Sequence, residues 1–229
     1  MKNIFLDCGT HLGWGFEHFR KQYGFDQTWD IHLFEPNPNL KDYINEHIIN
    51  RYPQLNIYYH PIAVSASNAP NVAEFNLQPC GKDPKGVHPE GFTGGGSSLL
   101  GDLCFKPEEI AGYEKVDVQT MPFVKILSQL VEDAYNENPS ICSIQEHEDG
   151  STSTTVLKGR CNIIVKLDVE GLEYEILPEL IKSNLGSWIS HLWIEFHRRR
   201  FKNESHLRQL EINTVGELFQ MGVVCFPHW

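Results

Sequence analysis

Asn162-Ile163-Ile164-Val165-Lys166-Leu167, closed by Asp168, is the stretch that decides the fold. It is a short run, apolar on both faces apart from one lysine. Such a run suits a buried parallel strand covered by helices on each side. Ile4-Phe5-Leu6 repeats the pattern and stops at Asp7. Ile31-His32-Leu33-Phe34 stops at Glu35, and the run from His191 to Phe196 carries Glu195 near its end. Acids at the ends of apolar strands therefore recur along the chain.

Helical spacing fills the intervals. We expect helices over about Leu12–Tyr23, Asn39–Asn50, Phe123–Tyr135, Leu172–Ser183 and Leu207–Gln220. Pro178 predicts a kink or a later start in the fourth, and the fifth is read as whole or broken. Further strands are expected at Leu55–Tyr59, Val116–Gln119 and Val223–Phe226. The alternation predicts a single three-layer α/β/α domain with a doubly wound, mostly parallel sheet. In such sheets ligands bind beyond the carboxyl ends of the strands.

Two stretches break the alternation. Residues 78–115 are rich in glycine and proline and without periodicity, which predicts an insertion acting as an active-site lid. Residues 136–160 are polar and rich in Ser and Thr, read as a surface loop with room for a short hairpin.

The chain has 229 residues, 41% hydrophobic and 21% charged, with a net charge of −11. That charge repels phosphate backbones, so nucleic acid is not an expected partner. No apolar run reaches the ~20 residues of a membrane span, and none resembles a secretory leader. Six cysteines include no CxxC pair, which argues against a zinc cluster and for a reducing, cytoplasmic setting. Oligomeric state is not legible.

Chemistry gathers at the strand ends. Asp7-Cys8-Gly9-Thr10-His11-Leu12-Gly13-Trp14-Gly15 is a glycine turn with GxxxGxG spacing, not the GxGxxG of a dinucleotide site. Its leading acid suits a ligand with a cationic amino group. Glu35 follows Gly15 by about 20 residues, an offset at which an acid can accept ribose hydroxyls. Together they point to a nucleoside without a phosphate chain, which S-adenosylmethionine is.

FLDCGTHLGWG (5–15), LFEPNP (33–38), GGGSSL (94–99), VKLDVEGLEYEIL (165–177) and WIEFH (193–197) resemble, in that order, the FkbM family of methyltransferases. The resemblance runs from about Phe5 to His197, and LDVEGLEYEIL is its most specific element. It implies a class I, Rossmann-like S-adenosylmethionine enzyme that methylates a hydroxyl group of a sugar, glycan or glycosylated small molecule. It also implies that Asp7, Gly9 and Gly13, with Thr10 in the same turn, contact the methionine part of the cofactor. Glu35 would take the ribose, and Ile62 and Ala63 would lie near the adenine. The chain departs from its relatives at Met121-Pro122, where they carry leucine and aspartate. It also starts almost at the first strand and ends short of their antiparallel hairpin. The early start leaves two readings: a more open site, or a domain cut from a larger protein.

For the acceptor side, His197 is the expected general base, with Asp168 or Glu170 orienting it or the acceptor. Ser97, Ser98 and Glu195 are the expected substrate-binding residues. Each has a plainer reading: Asp168 as a helix cap, Glu170 as a dipole partner, and Glu173 and Glu175 as solvated or structural acids. Arg198-Arg199-Arg200 with Lys202 reads as a solvated basic run or as a grip on an acceptor phosphate. Asp168, Glu195 and His197 could bind a divalent metal, but no tight spacing demands it and none is expected. Two other functions remain open: an NAD- or nucleotide-sugar-linked oxidoreductase on a similar sheet, and a non-catalytic cofactor-binding domain.

Overall fold

The computed structural model describes residues 2–78, 97–100, 113–137, 142–146, 152–156, 161–201 and 204–227. The first strand, β1 (Lys2–Cys8), leads through the glycine turn into α1 (Trp14–Tyr23). β2 (Trp29–Phe34) is followed by a continuous helical stretch that changes pitch twice: a 3₁₀ turn at Pro38–Leu40, α2 (Lys41–Ile44) and a π turn at Asn45–Ile49. β3 (Asn56–His60), β4 (Ala63–Ser65), β5 (Val72–Leu77) and β6 (Glu114–Pro122) precede α3 (Phe123–Glu137). A hairpin of β7 (Cys142–Glu146) and β8 (Thr152–Val156) leads to β9 (Cys161–Leu167) and α4 (Glu173–Lys182). β10 (Ile189–Ile194), α5 (Glu204–Gln220) and β11 (Val224–Pro227) complete the described chain.

Six strands form the main sheet in the order β11-β10-β9-β1-β2-β3, and every pairing in it is parallel. β1 and β9 lie at its centre, in register from Lys2↔Cys161 to Cys8↔Leu167. Successive side chains on these strands enter opposite layers. Ile4 and Leu6 join Ile163, Val165, α3, α4 and Leu218 of α5 on one face. Phe5 and Ile164 join α1 and the α2 stretch, through Phe16, Phe19, Leu40, Ile44 and Ile48, on the other. The fold is thus the three-layer α/β/α architecture read from the sequence.

Several details differ from expectation. α4 begins at Glu173 and runs on through Pro178 to Lys182, so the later start does not occur. α5 is likewise whole. β5 was not expected; it pairs antiparallel with β6, which is longer than its apolar stretch predicts and also pairs with β4. Most of 78–115 lies outside the described residues, and with it the expected lid. Within the 136–160 stretch the hairpin is present. No helix among the described residues is long and apolar enough to cross a membrane.

Candidate functional site

The carboxyl ends of β1, β2, β9 and β10 meet around a cavity of about 350 Å³, a size ordinary for a small-molecule site. Gly9 and Glu35 close one end, and Phe34, Ala63 and Val64 give it an apolar side. Asp168, Glu170 and Glu195 form an acidic side, with Ser97 nearby and Trp14 half exposed at the rim. Seven residues expected from the sequence therefore line one space: Gly9, Glu35, Ala63, Ser97, Asp168, Glu170 and Glu195.

The glycine turn is built to pass close to its neighbours. Gly9 has φ +85°, and a Cβ there would lie 1.9 Å from the Asp168 carbonyl oxygen. Its amide and that of Thr10 both donate to Phe34 O, at 3.0 and 3.1 Å. The Gly13 amide donates to Thr10 O at 2.8 Å. His11, held at φ 48°, donates its amide to Glu35 Oε2 at 2.8 Å. Four amides of the turn are thus engaged within the protein.

Glu35 is 5% exposed, and its second oxygen, Oε1, accepts from the Asn37 amide at 2.8 Å. Burial pushes its pKa up to about 7, against the two amides that favour the charged form. The result is a carboxylate fixed at the cavity wall with lone pairs to spare for hydroxyl donors.

Asp7 does not line the cavity. It is fully buried, and register places it beside Lys166, whose Nζ lies 3.1 Å from Asp7 Oδ1 and 3.2 Å from Asp168 Oδ2. Burial alone would pull Lys166 down, but the two carboxylates outweigh it and hold the ammonium charged. The same ammonium donates to Gly9 O. The charge of Asp7, expected to meet a cationic ligand, is met instead from within the protein. Thr10 ties its hydroxyl to Asp7 O, Gly13 caps α1, and Ile62 packs against the core. Ser98 is a structural clamp: its hydroxyl donates to Glu170 O and accepts from the Leu100 amide, both at 3.0 Å.

His197 is buried behind the acidic side. Nδ1 faces Glu173 Oε1 at 3.2 Å, and Nε2 faces Glu170 Oε2 at 3.3 Å and Asp168 Oδ1 and Glu195 Oε1 at 3.7 Å. Burial lowers the imidazole's pKa, but the Glu173 bond and the surrounding charges outweigh it and raise the value overall. His197, expected as the base, does not itself line the cavity; both its ring nitrogens face carboxylates. Glu173, read from sequence as solvated or structural, is fully buried and accepts from the Val169 and Gly171 amides at 2.8 and 2.9 Å. Glu170 adopts φ 57° in that turn. Lys166 and Glu173 behind the site, and Phe34 and Val64 on its apolar side, are among the residues that sequence reasoning missed.

Fold and site together define a doubly wound α/β domain with an acid-lined cavity at the carboxyl edge of its sheet. No family model matches the chain, and it has no match among curated proteins or solved structures.

Proposed function

We propose that the chain is an S-adenosylmethionine-dependent O-methyltransferase, FkbM-like, acting on a hydroxyl group of a sugar, glycan or glycosylated small molecule. One observation carries this reading: Glu35 presents a fixed carboxylate to the cavity beside a glycine turn whose amides at 9, 10, 11 and 13 are already bonded inward. A pyrophosphate needs such amides at a helix N-terminus. A nucleoside diol needs the carboxylate.

Glu35 would hold the ribose, with Phe34, Ala63 and Val64 flanking the base. When bound, the cofactor supplies an electrophilic methyl group. The acceptor side is the wall of Asp168, Glu170 and Glu195. This wall would take the proton of the acceptor hydroxyl. Glu195 is its most exposed member, and burial raises its pKa towards a useful base.

The all-parallel order β11-β10-β9-β1-β2-β3 also serves dinucleotide-binding sheets, which keeps an NAD-linked oxidoreductase as the second reading. Calorimetric titration separates them. S-adenosylhomocysteine should bind, NAD should not, and Glu35→Ala should abolish binding. Heat with NAD alone would overturn the proposal. Cofactor binding without labelled methyl transfer to any glycoside would instead favour a non-catalytic domain.

A further inference from the structure

We propose that Asp168, Glu170 and His197 form a divalent-cation site on the cavity wall, of the oxygen-rich class that takes Mn²⁺. One ligand atom from each of the three residues lies within 4.8 Å of the others. The spacing fits a shared ion. Two ligands about 2.1–2.4 Å from a metal, at tetrahedral or octahedral angles, stand roughly 3.0–3.9 Å apart. His197 Nε2 lies 3.3 Å from Glu170 Oε2 and 3.7 Å from Asp168 Oδ1, inside that range.

Two further observations point to a ligand. Asp168 Oδ1 is buried and has no hydrogen-bond partner among the described residues, although its sister oxygen faces Lys166. A buried carboxylate oxygen left this way costs free energy unless something cationic meets it. His197 is held by a carboxylate on its far nitrogen, through Glu173, so that Nε2 is aimed at the oxygens. That is the arrangement by which metal-binding imidazoles are oriented. Charge agrees: Asp7, Asp168, Glu170, Glu173 and Glu195 gather around Lys166 and His197. Glu195 Oε1, 3.7 Å from Nε2, is placed to supply a fourth ligand.

The sequence offered Asp168, Glu195 and His197 as possible metal ligands without a spacing that demands one; the structure replaces Glu195 by Glu170 in the tightest group. Coordination positions left by the protein would face the cavity and take an oxygen of a bound molecule. On the methyltransferase reading this is the acceptor hydroxyl; the cation site itself does not rest on that reading.

The test is calorimetric titration of the EDTA-treated full chain with MnCl₂, followed in parallel by loss of the free Mn²⁺ paramagnetic resonance signal. One Mn²⁺ per chain is expected. Glu170→Gln and His197→Gln should each weaken binding by at least ~10-fold, and Glu173→Gln should do so through orientation alone. Unfolding midpoints report whether each variant is folded. Glu170 is at the cavity surface, so Glu170→Gln decides if the His197 variant unfolds. Absence of stoichiometric binding, or binding undisturbed in folded Glu170→Gln, overturns the proposal. S-adenosylhomocysteine titrated into the metal-free protein tests the nucleoside site separately, and its binding should survive loss of the cation site.

Discussion

Lys166 and Asp7 show what a single buried charge demands. Their side chains are 3% and 0% exposed, and the pair sits at the centre of the sheet, directly beneath the glycine turn. Removing one partner of such a pair costs about 3–5 kcal/mol, because the survivor is left charged and dry, whereas replacing both by apolar groups can be neutral. Lys166→Met should therefore lower the urea midpoint sharply, and Asp7→Leu in the same chain should recover much of the loss. A double variant whose loss is the sum of the two single losses would show that the pair is not coupled. Glu35 makes a different prediction, because it titrates near neutrality. Its pKa of about 7 reflects burial. Hydroxyl donors favour the charged form, so a bound ribose must lower that pKa and release a proton. Affinity for S-adenosylhomocysteine should rise between about pH 6 and pH 8. Calorimetry in buffers of different ionisation heat should record the released proton. Glu35→Gln should remove the pH dependence and cost about 1.5–3 kcal/mol of binding. A proton count of zero for the unaltered chain would contradict the assignment.

At the scale of elements, the glycines at Gly9, ahead of α1, and Gly24, at its end, offer a matched pair. Gly24 ends the helix at φ +64°, and a Cβ added there would meet nothing within 4 Å. Gly24→Ala should cost only the left-handed penalty, about 1–2 kcal/mol. Gly9 shares that backbone constraint, but its Cβ would also stand 1.9 Å from the Asp168 carbonyl oxygen, so Gly9→Ala must prise the β1 turn from the β9 turn. Denaturant midpoints should fall further for Gly9→Ala, and nucleoside binding should be lost in that variant alone. The contrast also marks what was legible. β1, β2, β9 and β10 could be read because an apolar run closed by an acid is a local signal. β5 was passed over although Ala73-Glu74-Phe75-Asn76-Leu77 alternates apolar and polar residues: it carries no closing acid and borders the glycine- and proline-rich stretch, and its pairing with β6 is a tertiary fact. Lys166 was visible as a lysine inside an apolar strand, but its partner Asp7 is 159 positions away and adjacent only through register. Glu173 opens a helix, where an acid has an ordinary explanation. Only the turn at Glu170 folds the Glu173 carboxylate back under the Val169 and Gly171 amides. The later start suggested by Pro178 does not occur for a related reason: packing of Ile176, Leu177 and Leu180 into the core holds the helix through the lost backbone bond.

For the whole molecule, the sheet order implies a gradient of stability. β1 and β9 have strands on both sides and an apolar layer on both faces, and their residues from Ile4 to Cys8 and Ile163 to Leu167 are all buried. β11 has one neighbour, four residues and no buried position. β3, at the opposite edge, also has no buried position. Opening a strand locally costs the apolar contacts and ladder bonds it must give up, so edge strands open without the rest. Native-state hydrogen exchange should show β1 and β9 amides exchanging only through global unfolding, with a denaturant dependence equal to that of the whole chain. β11 and β3 should exchange by local opening, with little denaturant dependence. The site straddles this gradient. Gly9 and Asp168 belong to its most protected part, whereas Glu195 follows β10, which stands next to the β11 edge. A ligand that contacts both should therefore slow exchange in β10 more than in β1, since only the former has local opening left to suppress. Protection in β11 equal to that in β1 in the unliganded protein would refute the gradient, and with it the expectation that the acceptor side of the cavity is the softer one.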